Sequence, residues 1–189
     1  MDDTKHRSTA RVGHHLLVGA LAAAASVGAT SAAASFDIFL KIGDVKGEST
    51  DSKHAGEIDV LTWSWGVNGA VTGGAVKGGA QPACAQPLVI EKYIDKATPP
   101  LVGNAALNTV VSSATLTVRK AGEKPIDVVV VNLAGVTVKA LSNGGATGDD
   151  TMTEKVALGF TSATITYTPQ KADGSGDTGV TATTPASCP

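Results

Sequence analysis

Apolar and polar residues alternate along several segments of the chain, as they do in strands that bury one face. In the segment 36–42, Phe36, Ile38, Leu40 and Ile42 share a face. The same pattern predicts strands over 57–67, 87–95, 110–120, 125–141 and 155–168. One short α-helix is predicted over 97–109. The expected fold is mainly β, a small antiparallel β-barrel with that single helix, because closing a sheet removes its exposed edges.

The predicted helix and loops follow from local signals. Thr98 is the expected N-cap of the helix and Pro99 its first residue. Polar or glycine-rich stretches predict an exposed loop over 43–56 and a second, longer loop over 68–86. Trp63 and Trp65 lie two residues apart, so they share a strand face. We expect them to anchor the core, and a ligand-stacking platform is the alternative.

The first 34 residues resemble an export signal. Basic residues precede the apolar run Leu16–Val27, and small residues at Ala32 and Ala34 fit cleavage before Ser35. The run is short for a transmembrane helix. We therefore expect a cleavable signal over 1–34 and one domain over 35–189, with a Thr- and Pro-rich tail from about residue 180. This predicts a secreted, periplasmic or extracellular protein with no membrane contact after cleavage.

Composition narrows the function further. With 42% hydrophobic and 17% charged residues, the chain can form a core and is not a disordered polyelectrolyte. Its formal net charge of -2 argues against nucleic acid as a partner. Cys84 and Cys188 are the only cysteines. In an oxidising compartment they are candidates for a disulfide, although their separation in space is not set by the sequence.

Searches for catalytic and binding motifs give no site. Ser49, Asp51 and His54 lie in one loop, whereas a catalytic triad is assembled from different parts of a fold. The acidic segment 173–179 departs from the calcium-loop pattern, and Gly73–Gly79 lacks the phosphate-loop order. A candidate acid–base pair, Asp149 or Asp150 with Glu154, has no visible pocket. We therefore expect no enzyme, no cofactor and no metal.

Four stretches together resemble the haemolysin-coregulated protein (Hcp) family of type VI secretion. They are "FDIFLKIGDVKGESTDSKHAGEIDVLTWSWGV" (36–67), "EKYIDKATPPL" (91–101), "ATLTVRKAGEKPIDVVVVNLAGVTV" (114–138) and "DDTMTEKVALGFTSATITYTPQKADGS" (149–175). They occur in the family's order. The signal-like start and the region after the "DG" turn depart from the family pattern.

The resemblance implies a barrel subunit that forms hexameric rings, which stack into a tube for effector delivery. It implies spike, sheath and effector proteins as further partners, and a mechanical rather than catalytic role. Within the loop 43–56 we expect the ring-stacking surface to include Glu48, Ser49, Asp51, Lys53 and His54. The alternative function is an exported Hcp-like binding module that forms no tube.

Overall fold

A computed structural model describes residues 35–70 and 83–188. The predicted signal segment, including Ala34 of the cleavage position, lies outside these residues. The described chain contains eleven strands and one helix. The strands are β1 (Phe36–Ile42), β2 (Ile58–Asp59), β3 (Thr62–Ser64), β4 (Val67–Asn68), β5 (Cys84–Ala85), β6 (Leu88–Tyr93), β7 (Val110–Lys120), β8 (Ile126–Gly144), β9 (Thr153–Gly159), β10 (Ser162–Tyr167) and β11 (Val180–Thr184), and the helix is α1 (Thr98–Ala106).

Antiparallel pairing joins most strands into one sheet, in the order β2-β1-β7-β8-β9-β6-β3. The two ends of this path belong to one short segment of chain, because β2 and β3 are separated by only Val60 and Leu61. The Val60 N–H donates to Ile38 O (2.9 Å), and the Leu61 N–H donates to Glu91 O (2.7 Å). The segment therefore bridges both edges and closes the sheet, which confirms the mainly β, antiparallel fold with a single short helix.

This bridging explains why the single strand predicted over 57–67 is wrong. The chain changes its pairing partner from β1 to β6 within the segment, so regular pairing is interrupted. Ile58 and Val60 are buried, while Trp63 and Trp65 pack partly buried against the same core. Residues of both alternating sets therefore contribute to the core, which a strand with one buried face would not do.

The strand predicted over 155–168 is also divided, into β9 and β10. Both pair with the 19-residue strand β8, and the break falls at Phe160 and Thr161. Opposite the break, Gly135 has φ +56°, and a Cβ there would lie 2.7 Å from Thr161 Oγ1. Both the N–H and the hydroxyl of Thr161 donate to Ala134 O at 2.9 Å. The bend lets one long ribbon turn around the barrel.

The N-cap of the helix lies one residue before the predicted one, and α1 (Thr98–Ala106) occupies the inner part of the predicted segment 97–109. Ala97, and not Thr98, is the N-cap, and Pro99 follows in the first turn. The carboxylate of Asp95 accepts a bond from the Ala97 N–H (2.8 Å), while Thr98 Oγ1 accepts one from the Asp95 N–H (3.2 Å). The Thr98 side chain therefore points inward and is buried, so that it serves the core and not the cap.

Apolar side chains from almost every strand fill the interior. Ala97 and Leu101 bring α1 onto the barrel. The larger of the fully buried apolar side chains are Leu40, Ile42, Ile58, Leu88, Ile90, Leu101, Leu116, Val131, Val136, Val156 and Leu158. The segment after residue 180 is not an irregular tail, because β11 pairs with β10 over five residue pairs.

Candidate functional site

The loop between β1 and β2 is folded against itself. Its backbone bonds run from Gly47 N to Gly56 O (2.9 Å), from Gly56 N to Ser49 O (2.8 Å) and from Ser49 N to Glu57 O (3.0 Å). A Cβ at Gly47 would collide with the Glu57 carbonyl, so the two sides of the loop approach as closely as glycine allows. The loop therefore has a defined shape, and it presents its tip at residues 50–55.

Asp51 fixes that tip. Its Oδ1 accepts the backbone N–H groups of Lys53 (2.7 Å) and His54 (3.1 Å). These bonds, the one from Lys53 foremost, stabilise the charged carboxylate and hold the pKa of Asp51 below its usual value. Ser52 and Lys53 are exposed as a result, and Glu48 is exposed on the side of the loop.

His54 faces inward, so the expectation that the whole loop is exposed is wrong at this position. Its ring stacks on Phe39 with centroids 4.3 Å apart and planes 8° from parallel. Nδ1 lies 2.9 Å from Glu57 Oε2, and Nε2 lies 3.8 Å from Asp127 Oδ1. Ser49 is buried as well. Of the five residues predicted for ring stacking, Glu48 and Lys53 are exposed, Asp51 is partly exposed, and Ser49 and His54 are buried.

The same geometry shows how Ser49, Asp51 and His54 are used. Ser49 Oγ accepts the Asp51 N–H (3.3 Å), Asp51 accepts backbone bonds, and the imidazole is oriented by Glu57. Each side chain thus supports the shape of the loop, and the arrangement differs from a triad in which an aspartate orients the histidine.

A buried ionic cluster, which the sequence patterns did not reveal, joins α1 to the sheet. Lys92 has no solvent exposure, and its Nζ lies 2.6 Å from Asp95 Oδ1 and 2.9 Å from Glu154 Oε1. The same ammonium donates to Tyr93 O (2.7 Å), and the Thr98 hydroxyl donates to Glu154 Oε1 (2.9 Å). Glu154 is 1% exposed, so both charges are desolvated and depend on each other. The contacts of Glu154 are thus with Lys92 and Thr98, which differ from the predicted acid–base partners Asp149 and Asp150.

The signal that could have revealed this cluster is the strand alternation itself. Leu88, Ile90 and Lys92 share one face of β6, and the first two are fully buried. Glu154 precedes Val156 and Leu158 on the inward face of β9, and it pairs directly with Lys92. A charged residue on the inward face of each of two strands predicts that the charges meet.

Cys84 and Cys188 form a disulfide, with their Cα atoms 5.1 Å apart and a sequence separation of 104. The last described residues lie as a strap beside β5. Ala85 N–H donates to Ala186 O (3.1 Å), and Cys188 N–H donates back to Ala85 O (2.6 Å). The strap thus connects the end of the chain to the edge of the glycine-rich segment, whose residues 71–82 lie outside the described part.

The tryptophans favour the core interpretation over a stacking platform. Both pack against the core cluster, and Trp65 meets Phe160 edge-on, with ring centroids 6.2 Å apart.

Within residues 35–70 and 83–188 no group of three or more His, Cys, Asp or Glu side chains is placed to hold a metal ion. In the same residues no helix is both long and apolar enough to span a membrane.

The segment 173–179 forms turns through its own side chains. Asp173 Oδ1 accepts the Ser175 hydroxyl (2.7 Å) and the Ser175 N–H (3.0 Å), and the hydroxyl is the main reason why the pKa of Asp173 is lowered. Lys171 Nζ lies 3.7 Å from Asp177 Oδ1 in an exposed pair. These contacts account for the acidic residues of the segment by local structure.

The chain is similar to known proteins in both sequence and structure. Residues 39–167 match the family described as "Type VI secretion system effector, Hcp". The chain is 48% identical to "Protein hcp1" of Pseudomonas aeruginosa over 145 residues, which are 76% of this chain and 90% of that protein.

The fold is shared with solved structures of type VI secretion proteins. One is described as the structure of a type six secretion system protein, with a TM-score of 0.70, 26% identity and coverage of 77% of this chain and 92% of the other. Another is Hcp1 from Salmonella typhimurium, with a TM-score of 0.61, 30% identity and coverage of 78% and 92%. On these matches, the chain belongs to the Hcp family of the type VI secretion system.

Proposed function

We propose that this chain is a tube-forming subunit of type VI secretion, which assembles into homohexameric rings that stack into a conduit for effector proteins. The observation that carries the proposal is the 48% identity to "Protein hcp1" across 90% of that protein's length. The family match over 39–167 supports the same role, because it covers the barrel from β1 to β10. The proposed function is mechanical and depends on the surfaces by which subunits contact one another. The loop 43–56 and the buried cluster of Lys92 and Glu154 agree with this role, because their polar side chains stabilise the fold.

Exposed apolar side chains support self-association. At the end of α1 and the start of β7, Leu107 is 80% exposed, Val110 66% and Val102 44%. A cleft of about 280 Å³ lies elsewhere on the barrel and is lined by Phe36, Val118 and Tyr167, among others. Apolar groups concentrated on a surface favour contact with another protein. Neighbouring subunits, the sheath and the spike are the partners that fit this role.

We propose that the exposed residues at the tip of the loop 43–56 contribute to ring stacking. Because Asp51 and His54 maintain the loop, a test should alter only an exposed side chain. Lys53→Glu reverses one charge at the tip, and Lys171→Glu, which alters an exposed lysine in the segment 168–179, is the matched control. We expect Lys53→Glu to shorten tubes in electron micrographs while rings persist. Tubes of unchanged length would exclude this loop from the stacking contact.

A second candidate function is an exported Hcp-like module that binds another component without forming a tube. The disulfide between Cys84 and Cys188 favours it, since such bonds persist in oxidising compartments. The proposed signal over 1–34 fits the same route to the periplasm or cell exterior. The family assignment supports a secreted protein for both candidate functions. A tube subunit would be in the cytoplasm before it is expelled, whereas an exported module would leave by its signal segment.

Native mass spectrometry and negative-stain microscopy of residues 35–189 distinguish the two functions. A six-fold ring supports the tube subunit, whereas a monomer at micromolar concentration contradicts it and favours the module. Sequencing the N-terminus of the protein isolated from its host tests the export step. A start at Ser35 supports cleavage after Ala34, and an intact Met1 contradicts it.

A further inference from the structure

The strand β11 is held to the barrel with little burial of apolar surface. Val180, Thr181, Ala182 and Thr183 are all exposed, and no residue of β11 belongs to the core cluster. Among the described strands, β11 pairs only with β10. Its side-chain bonds to β10 are three hydroxyl contacts, Thr164–Thr183 (3.3 Å), Thr166–Thr181 (3.0 Å) and Thr184 Oγ1 to Ala163 O (3.4 Å), which water can replace.

Exposed pairing of this kind is marginal in water. Backbone hydrogen bonds at the surface contribute little net free energy, because the separated strands bond to water instead. Strands that lack a buried face open locally, at a cost far below that of global unfolding. By its own contacts, β11 would therefore detach frequently while the barrel remains folded.

The strap that follows β11 supplies the missing attachment. Ser187 N–H donates to Phe160 O (2.9 Å), Phe160 N–H donates to Ser187 Oγ (3.0 Å), and Cys188 is bonded to Cys84. Cys188 lies only four residues after the end of β11. With both ends of this short stretch fixed, the strand remains close to β10, and its local concentration there is high. Without the disulfide, no covalent bond fixes the strand, and β11 is held by its pairing with β10 and by the hydrogen bonds of Ala186, Ser187 and Cys188.

We propose that the Cys84–Cys188 disulfide is a redox-operated clasp that docks β11 onto β10. Both cysteines are partly exposed, so a small thiol can reach them. On oxidation the two thiols lose two electrons and two protons to a low-molecular-weight disulfide, which becomes two thiols. A dithiol reductant reverses the reaction and becomes a cyclic disulfide. In the reduced protein β11 detaches, and the edge of β10 at Ala163–Tyr167 loses its strand partner.

Hydrogen exchange on the full chain, with and without a dithiol reductant, tests the clasp. We expect reduction to speed exchange about tenfold or more at residues 180–184 and at those β10 amides that bond to β11, because detachment becomes frequent. Amides of β1 and β7, which pair along their length, should be unchanged. Equal protection of β11 in both states would overturn the proposal, as would exchange that rises across the whole barrel.

Serine variants separate loss of the bond from other effects of the reductant. Cys188→Ser and Cys84→Ser remove the same bond from opposite ends, so both should show rapid β11 exchange without reductant. Neither variant should respond when reductant is added. If the two variants keep β11 protected, the strand is held by its own contacts and the clasp is wrong. A response to reductant in both variants would equally exclude the disulfide as the cause.

Discussion

The buried pair of Lys92 and Glu154 gives the sharpest stability prediction. In Lys92→Met, a side chain of similar length replaces a lysine with no exposure, and the carboxylates of Glu154 and Asp95 lose their counter-ion. Glu154 Oε2 already lacks a hydrogen-bond partner in the described structure. Breaking a buried pair from one side costs about 3–5 kcal/mol. We expect a loss of that size in the free energy of unfolding.

The reverse change should be milder. In Glu154→Gln, Lys92 keeps Asp95 Oδ1 at 2.6 Å and Tyr93 O at 2.7 Å, so its charge stays paired. A loss of about 2 kcal/mol is expected, within the range for removing a charged hydrogen-bond partner. The double variant should lose less than the sum of the single losses, since each single change leaves a group without its partner.

Urea unfolding of residues 35–189, followed by circular dichroism, measures these differences through the midpoint at constant slope. Lys171→Met is the matched control, because its pair with Asp177 is half exposed on both sides and should contribute less than about 0.5 kcal/mol. A loss below about 1 kcal/mol for Lys92→Met would refute the reasoning. So would losses that add fully in the double variant, because the two groups would then be independent.

Three further predictions follow from the loop and the β8 bend. Gly135→Ala should lower the free energy of unfolding by about 1–3 kcal/mol in the same assay, because its φ is +56° and Thr161 occupies the space, whereas Gly144→Ala, with no atom within 4 Å, should be nearly neutral. His54→Ala should accelerate hydrogen exchange across residues 47–57 by removing the contacts with Phe39 and Glu57, and unchanged exchange would contradict this. The pKa of Asp51 is lowered, so the stability that its charged carboxylate contributes is complete above the unfolded pKa of 3.8 and is lost as pH falls through the lower folded pKa. Titration of this carboxyl group by NMR should give a midpoint below 3.8. A midpoint above 3.8 would refute the bonds from the Lys53 and His54 N–H groups.

The positions of most strands could be predicted from the sequence, because alternation of apolar and polar residues indicates which face of a strand is buried. The segment 36–42 and the segment 110–120 match β1 and β7 at both ends. Strand prediction was wrong where the chain changes the strand with which it pairs or bends within a predicted strand. At Val60 and Leu61 the alternation continues through the change from β1 to β6, so nothing local marks the break. At Phe160 and Thr161 the cause is a glycine on the opposite strand, remote in the sequence.

Local sequence also fails to predict which residues of the polar loop 43–56 are buried. Its composition predicts exposure, and half of its residues, seven of fourteen, are exposed. His54 is buried nevertheless, because Phe39 offers an aromatic face and Glu57 a carboxylate within reach. These partners come from different positions along the chain, so polarity alone could not identify which loop residues turn inward. The burial of Lys92 and Glu154 is easier to predict from the sequence, because each lies at an inward position of an alternating apolar strand.

The closure of the sheet by the segment from β2 to β3 has a consequence for the order of folding. β2 needs β1, β1 pairs with β7, and β3 needs β6, which itself pairs with β9. No stable barrel can form before the ribosome has released residue 159, so the nascent chain spends most of its synthesis without a native core. Closure of the barrel is therefore postponed until nearly the whole domain has been synthesised.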